Sequence, residues 1–269
     1  MDDADARQLN DDVLRMASVT VSIVLAGYAA TAGVPFRVDL AVLGGALARL
    51  YDDLIDQSGS TELDQQLAML FNAGQFTPTH DGERLFFRLY QEVERRLGVS
   101  QHDPIRAELR ALHEYQVRSR RQVELALSAA ELADITRGKG GYAATVMFAL
   151  INPGMTVAEL ALIRDIGEVL QLIDDYQDVA LDRQAGITTA ATLGQLSLSE
   201  LCRKLRHIRP TLRAHYGRER PFCGVIYLRL WACFLHRHWP RRPGAWTALD
   251  VLVSRARRNL GYRRSANRS

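Results

Sequence analysis

Leu170-Gln171-Leu172-Ile173-Asp174-Asp175-Tyr176-Gln177-Asp178 decides the fold: an apolar lead-in of helical composition that turns acidic in a DDxxD pattern. Roughly half the chain earlier, Asp52-Asp53-Leu54-Ile55-Asp56 repeats that pattern at the end of another apolar run, residues 40–51. On an α-helix, residues four apart lie about 40° apart around the axis and about 6 Å along it, so the first and last Asp of each copy leave from one face. An acidic cluster alone is most simply a solvated helix face. The apolar flanks oppose that reading, and so does the macrodipole, which disfavours carboxylates near a helix C-terminus. Three like charges within five residues are costly to bury unless cations neutralise them. Oxygen-only donors suit Mg²⁺, which binds through one or two carboxylates, keeps several waters and is completed by phosphate oxygens. Asp52, Asp53, Asp56, Asp174, Asp175 and Asp178 are therefore candidate metal ligands.

Outward from these motifs the pattern is helical. Apolar residues recur at three- and four-residue spacing over 5–32, 40–57, 81–97, 104–133, 140–150, 157–181, 197–216, 222–238 and 245–261. Turn signals separate them, among them Gly33-Val34-Pro35, Gly98-Val99-Ser100 and Asn152-Pro153-Gly154. No run of alternating strand residues intervenes. Long helices joined by short connections predict an all-α, single-domain antiparallel bundle over residues 1–269, with the two acidic helices facing each other across a central cavity.

Composition supports one sizeable core: 269 residues, 47% hydrophobic, with no low-complexity run or Gly/Ser linker. The formal charge of +3 is unevenly placed, with a basic C-terminal tail over about 255–269. Such a tail suits nucleic acid, an anionic membrane or a phosphorylated ligand; the expectation here is the last, with no nucleic-acid partner. Cys202, Cys223 and Cys233 lack metal-ligand spacing and read as packing residues of a chain in a reducing compartment. Residues 16–36 carry no formal charge, yet their Ser, Thr and Gly content and acidic lead-in predict a buried helix rather than stable membrane insertion. With no signal peptide evident, the expected location is the cytoplasm. His102, His113, His207, His215, His236 and His238 show no useful spacing and receive no role.

The two motifs in this background resemble the trans-isoprenyl diphosphate synthases and the wider class I terpenoid synthase superfamily. Gln171 sits at the offset where that family places a Gln before its second motif, and Arg137-Gly138-Lys139-Gly140-Gly141 is similar to the segment that begins the next helix upstream and supplies a diphosphate-binding Lys. The resemblance covers residues from about 10 to 190. It implies a bundle of the isoprenoid synthase type in which Asp52, Asp56, Asp174 and Asp178 act catalytically by holding three Mg²⁺ ions against a prenyl diphosphate. It also implies that Lys139, Arg137 and Gln171 contribute to the substrate site, and it allows a homodimer through flat helix faces.

Departures matter as much. The chain-elongating members hold isopentenyl diphosphate through basic segments that here read Asp11-Asp12-Val13-Leu14-Arg15, Gln57-Ser58-Gly59-Ser60-Thr61 and Gly186-Ile187, so three sources of positive charge are missing. The expectation is therefore a terpene synthase that ionises one allylic diphosphate and cyclises or rearranges the cation. The alternatives are a divergent prenyl diphosphate synthase using isopentenyl diphosphate as co-substrate, a head-to-head condensing enzyme, and a non-catalytic regulatory subunit. Ala48, one turn before Asp52, and Gly44 and Gly45, two turns before it, either floor a pocket for a C15 or C20 chain or allow close helix packing. Arg183 either meets the diphosphate after closure or is a solvated surface residue. Arg263, in Tyr262-Arg263-Arg264, lies near where cyclases place a diphosphate-sensing pair, with a disordered tail as the alternative.

Overall fold

Nine α-helices and one short 3₁₀ turn account for most of the described chain, and no strand occurs among the described residues. The structure is a computed structural model; it describes residues 20–58, 60–98, 103–123 and 127–238, with the side chains of 56–58 and 236–238 outside that description. The helices are α1 (Ser22–Ala32), α2 (Val38–Ser58), α3 (Thr61–Ala73), α4 (Asp81–Leu97), α5 (Ile105–Ser119), α6 (Ala129–Ala149), α7 (Val157–Ala185), α8 (Leu198–Tyr216) and α9 (Arg220–His238), with the 3₁₀ turn Arg120–Val123 after α5. The all-helical expectation holds. The helix expected over 245–261, the first half of that over 5–32, and the basic tail lie outside the described residues.

Local chemistry explains where the helices differ from the periodicity. α3 was not anticipated: Ser60 starts it by accepting from the Glu62 and Leu63 amides, and Leu63, Leu67, Leu70 and Phe71 give it a buried stripe. The run expected over 104–133 is two helices, because Ser128 and Glu131 form a reciprocal capping box that begins α6. That helix then runs unbroken to Ala149, so Arg137 to Gly141 lie in its interior and not at a helix start.

Glycine inside a helix costs about 1 kcal/mol relative to Ala, so these need a reason. A Cβ at Gly140 would stand 2.5 Å from the Gln171 Cβ, and one at Gly167 would stand 2.7 Å from both the Gly140 carbonyl carbon and the Gly141 Cα. The backbones of α6 and α7 thus touch directly, and this is the most extensive helix pairing among the described residues.

Two apolar clusters organise the rest. One is built around Tyr28, Phe148, Ile163 and Phe222 on α1, α6, α7 and α9, with Leu201 and Leu205 of α8. The other gathers Tyr51, Leu67, Phe71 and Phe86 on α2, α3 and α4. Leu40, Val93 and Leu150 bridge α2, α4 and α6 between them. Fully burying one such side chain stabilises by about 1.5–3 kcal/mol. Within the first cluster the buried Glu159 carboxylate accepts hydrogen bonds from the Tyr28 hydroxyl (2.8 Å), the Tyr216 hydroxyl (2.6 Å) and the Asn152 amide (3.0 Å), tying α1 and α8 to α7. No described helix is long and apolar enough to cross a membrane, and α1 packs along α9 with Leu25, Tyr28 and Ala29 buried.

Candidate functional site

Beside the second cluster and the residues that bridge to the first lies a cavity of about 230 Å³. Its walls come from α2, α4, α5, α6 and α7, with Phe71 of α3. Leu40 near the start of α2 packs with Val93 near the end of α4, whereas Leu54 lies beside Gly82 at the start of α4, so these two helices are antiparallel. Following each helix along the cavity separates the lining by character. Asp52, Gln116, Lys139, Gln171 and Asp174 line one end. Gly44, Leu97, Ile105 and Leu150 line the other, about 12 Å away by the rise of α2 from Gly44 to Asp52. A polar mouth thus leads into an interior walled mainly by apolar and aromatic side chains, with Glu94, held by Arg106 at 2.6 Å, towards its far end.

The first Asp of each acidic motif reaches this mouth, although α2 and α7 are not close neighbours. Asp52 is exposed and accepts from the Gln116 side-chain amide at 3.2 Å. Asp174 also lines the cavity and receives the Arg229 guanidinium at 3.1 Å. Asp53 and Asp175 are engaged elsewhere. Asp53 is engaged by both nitrogens of an Arg49 fork one turn back, at 2.6 and 3.2 Å. Asp175 is buried against α6, with one oxygen accepting from Gln171 at 2.8 Å and the other without a hydrogen bond. Burial pushes the Asp175 carboxyl up to about 6, against the opposing pull of the Gln171 amide. Asp178 is half-buried one turn beyond Asp174, and the Asp56 side chain lies outside the described residues. Among the described residues, no group of three or more His, Cys, Asp or Glu side chains is arranged to hold a metal ion unaided.

The basic candidates also divide. Lys139 lines the mouth, while Arg137, two residues earlier on the same helix, leaves it about 160° away and cannot share the cavity. Arg137 pairs with Glu168 at 3.1 Å in a separate groove between α6, α7 and α8, where Lys204 takes the same carboxylate at 2.7 Å. Arg183 is exposed and donates to the Thr192 carbonyl at 3.2 Å. Arg263 lies outside the described residues. Ala48 and Gly44 line the cavity, and Gly44 also admits the side chains of Leu150 and Met147, so the small residue there both lines the cavity and allows close packing; Gly45 does not line it.

A network behind Asp52 had no linear signal. The His113 Nε2–H donates to the Asp64 carbonyl at 2.9 Å, which leaves Nδ1 to accept from the Tyr51 hydroxyl at 2.8 Å. Burial lowers the pKa of this imidazole, consistent with its neutral role between a donor and an acceptor. Arg120 binds both Asp64 carboxylate oxygens, at 2.5 and 2.9 Å, and donates to the Ile55 carbonyl at 3.2 Å. A guanidinium at this end of α2 offsets the negative pole of the helix where the acidic motif adds further negative charge. His113, Gln116 and Arg120 together fix the acidic end of α2 from α5 and the turn that follows it.

Comparison of the chain with known protein families, with curated proteins and with solved structures gave no match.

Proposed function

We propose that the chain is a Mg²⁺-dependent class I terpene synthase, which ionises one allylic prenyl diphosphate and cyclises or rearranges the resulting carbocation with release of diphosphate. The observation that carries this reading is the convergence of Asp52, Asp174 and Lys139, from three helices, on the polar mouth of one apolar cavity. A prenyl diphosphate has the same division: an anionic head that needs cations and a hydrocarbon tail that needs a dry, apolar wall.

The donor set suits a metal bridged by substrate better than a protein-only cage. Mg²⁺ takes one or two carboxylates and fills its remaining positions with water and phosphate oxygen, and Asp52 and Asp174 supply one carboxylate from each side of the mouth. Bound there, Mg²⁺ would stabilise the charge that develops on the departing diphosphate. Lys139 would add a charge-assisted hydrogen bond to the same head group. Gln116 and the His113–Tyr51 network hold the α2 carboxylate in place, so little reorganisation is needed at the moment of ionisation. Tyr51, Phe71 and Phe86 line the interior, where their ring faces attract a carbocation and their bulk excludes water. The cavity, below the ~300–1,000 Å³ typical of drug-sized sites, favours C15 over C20.

The test is incubation of the purified chain with Mg²⁺ and geranyl, farnesyl or geranylgeranyl diphosphate, each with and without isopentenyl diphosphate, with products read by mass. A hydrocarbon or alcohol from one substrate alone supports the synthase. Longer diphosphates formed only with isopentenyl diphosphate establish instead the divergent prenyl diphosphate synthase, and no binding of Mg²⁺ with a diphosphate leaves the regulatory subunit.

A further inference from the structure

Arg229 comes to the mouth from α9, far from either acidic motif in sequence. One guanidinium nitrogen donates to Asp174 Oδ1 at 3.1 Å and to Gln177 Oε1 at 2.7 Å. Gln177 is in turn fixed from its other end, its amide nitrogen donating to Cys233 Sγ at 2.8 Å. The variable fourth position of the second motif therefore docks α7 on α9 and aims Arg229 at the first. The hold on Asp174 is single and long, whereas an Arg–carboxylate pair at full strength is a two-bond fork at about 2.7–2.9 Å. Asp174 is also the carboxylate that lines the cavity, its side chain 47% exposed against 21% for Arg229.

A divalent cation and a guanidinium cannot both neutralise one carboxylate oxygen at full strength, because they repel each other at such separations. We propose that Arg229 is an exchangeable counter-ion: it neutralises Asp174 while the mouth is empty, and passes to the diphosphate when Mg²⁺ takes that carboxylate. Its anchor on Gln177 survives the exchange, so the guanidinium stays at the mouth and its planar donors meet the anion that arrives with the metal. Arg229 thereby weakens binding of the metal alone and strengthens binding of metal with diphosphate. The chain then commits its second acidic motif only when both are present. This inference rests on the Mg²⁺–diphosphate reading of the mouth.

Titration calorimetry on the full chain separates the two. Mg²⁺ alone and then inorganic pyrophosphate at saturating Mg²⁺ are titrated into wild type, Arg229→Gln and Arg229→Lys, with thermal melts as a check on folding. Arg229→Gln should bind Mg²⁺ alone about 3-fold or more tightly than wild type, yet bind pyrophosphate about 10-fold more weakly, the scale of one lost charge-assisted hydrogen bond. Arg229→Lys, which keeps the charge, should stay near wild type for Mg²⁺ and lie between the other two for pyrophosphate. Opposite signs support the exchange. Parallel weakening of both ligands, or no change in either, overturns it while leaving the reading of the mouth intact. A wild-type chain that binds neither ligand overturns both.

Discussion

Gly167→Ala puts one methyl group where α6 and α7 touch. The new Cβ would stand 2.7 Å from the Gly140 carbonyl carbon and from the Gly141 Cα, where carbon atoms prefer about 3.5 Å or more, so the helices must part by ~0.8 Å. These two atoms and the Gly140 carbonyl oxygen, which comes nearer still, are all backbone, and no rotamer change relieves them. Overpacking of this kind costs about 1–3 kcal/mol, occasionally more, while Ala in place of a helical Gly returns up to about 1 kcal/mol. With only backbone to yield, the cost falls in the upper part of that range, about 2–3 kcal/mol, and the net expectation is a loss of about 1–2 kcal/mol. Gly224 is the internal control: it lies on the exposed side of α9 with nothing within 4 Å of its Cβ position, so Gly224→Ala should stabilise by about 0.5–1 kcal/mol. Equilibrium urea unfolding of the three proteins gives the comparison, with unchanged m-values confirming that the same surface is exposed. Gly140→Ala should also destabilise, and the double variant should lose less than the two singles together, because the helices part only once. If Gly167→Ala were as stable as wild type or more so, the direct backbone contact would not be what sets the α6–α7 spacing.

Other expectations reach different parts of the molecule. Tyr51→Phe removes the donor to the buried His113 Nδ1 and should cost about 1–2 kcal/mol in urea unfolding, with a larger effect on Mg²⁺–pyrophosphate affinity than a mutation of similar cost in the other cluster. Glu159→Ala strips the acceptor from one buried and two half-buried donors and should cost about 2–3 kcal/mol by the same measurement. Burial raises the Asp175 carboxyl from 3.8 to about 6, so the folded chain holds a proton there that the unfolded chain has released; this contribution to stability is present below pH 3.8 and is lost as pH rises to about 6. Asp175→Asn should remove that slope and stabilise the protein at pH 7.5 relative to pH 4.5, read as the change in urea midpoint. Ala48→Phe places a ring in the cavity wall and should shorten the prenyl chain accepted in the product assay, whereas an unchanged profile would show that the cavity is not the substrate site.

The helical class was legible because it rests on periodicity and turn residues, which are local. The positions where the reading slipped depended on the rest of the fold. The glycines at 138, 140 and 141 looked like a helix start, since glycine usually interrupts a helix; only the closeness of α7 at 140 and 141, and of the Tyr115 ring on α5 at 138, shows why an interior turn needs them. α3 was masked by the polar residues after Asp56, although Ser60 is its cap. Of the two motifs, the candidate site takes up the first Asp of each: Asp52 and Asp174 line one cavity. Spacing along a helix predicts which residues share its face but not what that face meets, and so Asp53 fell to Arg49 and Asp175 to the core. Arg137 was drawn in by its nearness to Lys139 in sequence, when two residues along a helix is nearly opposite sides. His113, Gln116, Arg120 and Arg229 carry no motif at all and reach or brace the motif carboxylates only through the packing of α5, the turn after it and α9.

Leu150 closes the apolar end of the cavity while occupying the space that Gly44 leaves vacant, and it belongs to the small cluster that joins the two halves of the bundle. On the prenyl diphosphate reading proposed above, room for a longer tail and cohesion between the halves therefore draw on a single side chain. A lineage that enlarged the cavity by trimming Leu150 to Ala would give up about 2–5 kcal/mol, a large part of what a typical fold has in reserve. Deepening would have to be preceded by stabilising changes elsewhere, so in this architecture the order in which mutations arrive constrains which chain lengths evolution can reach.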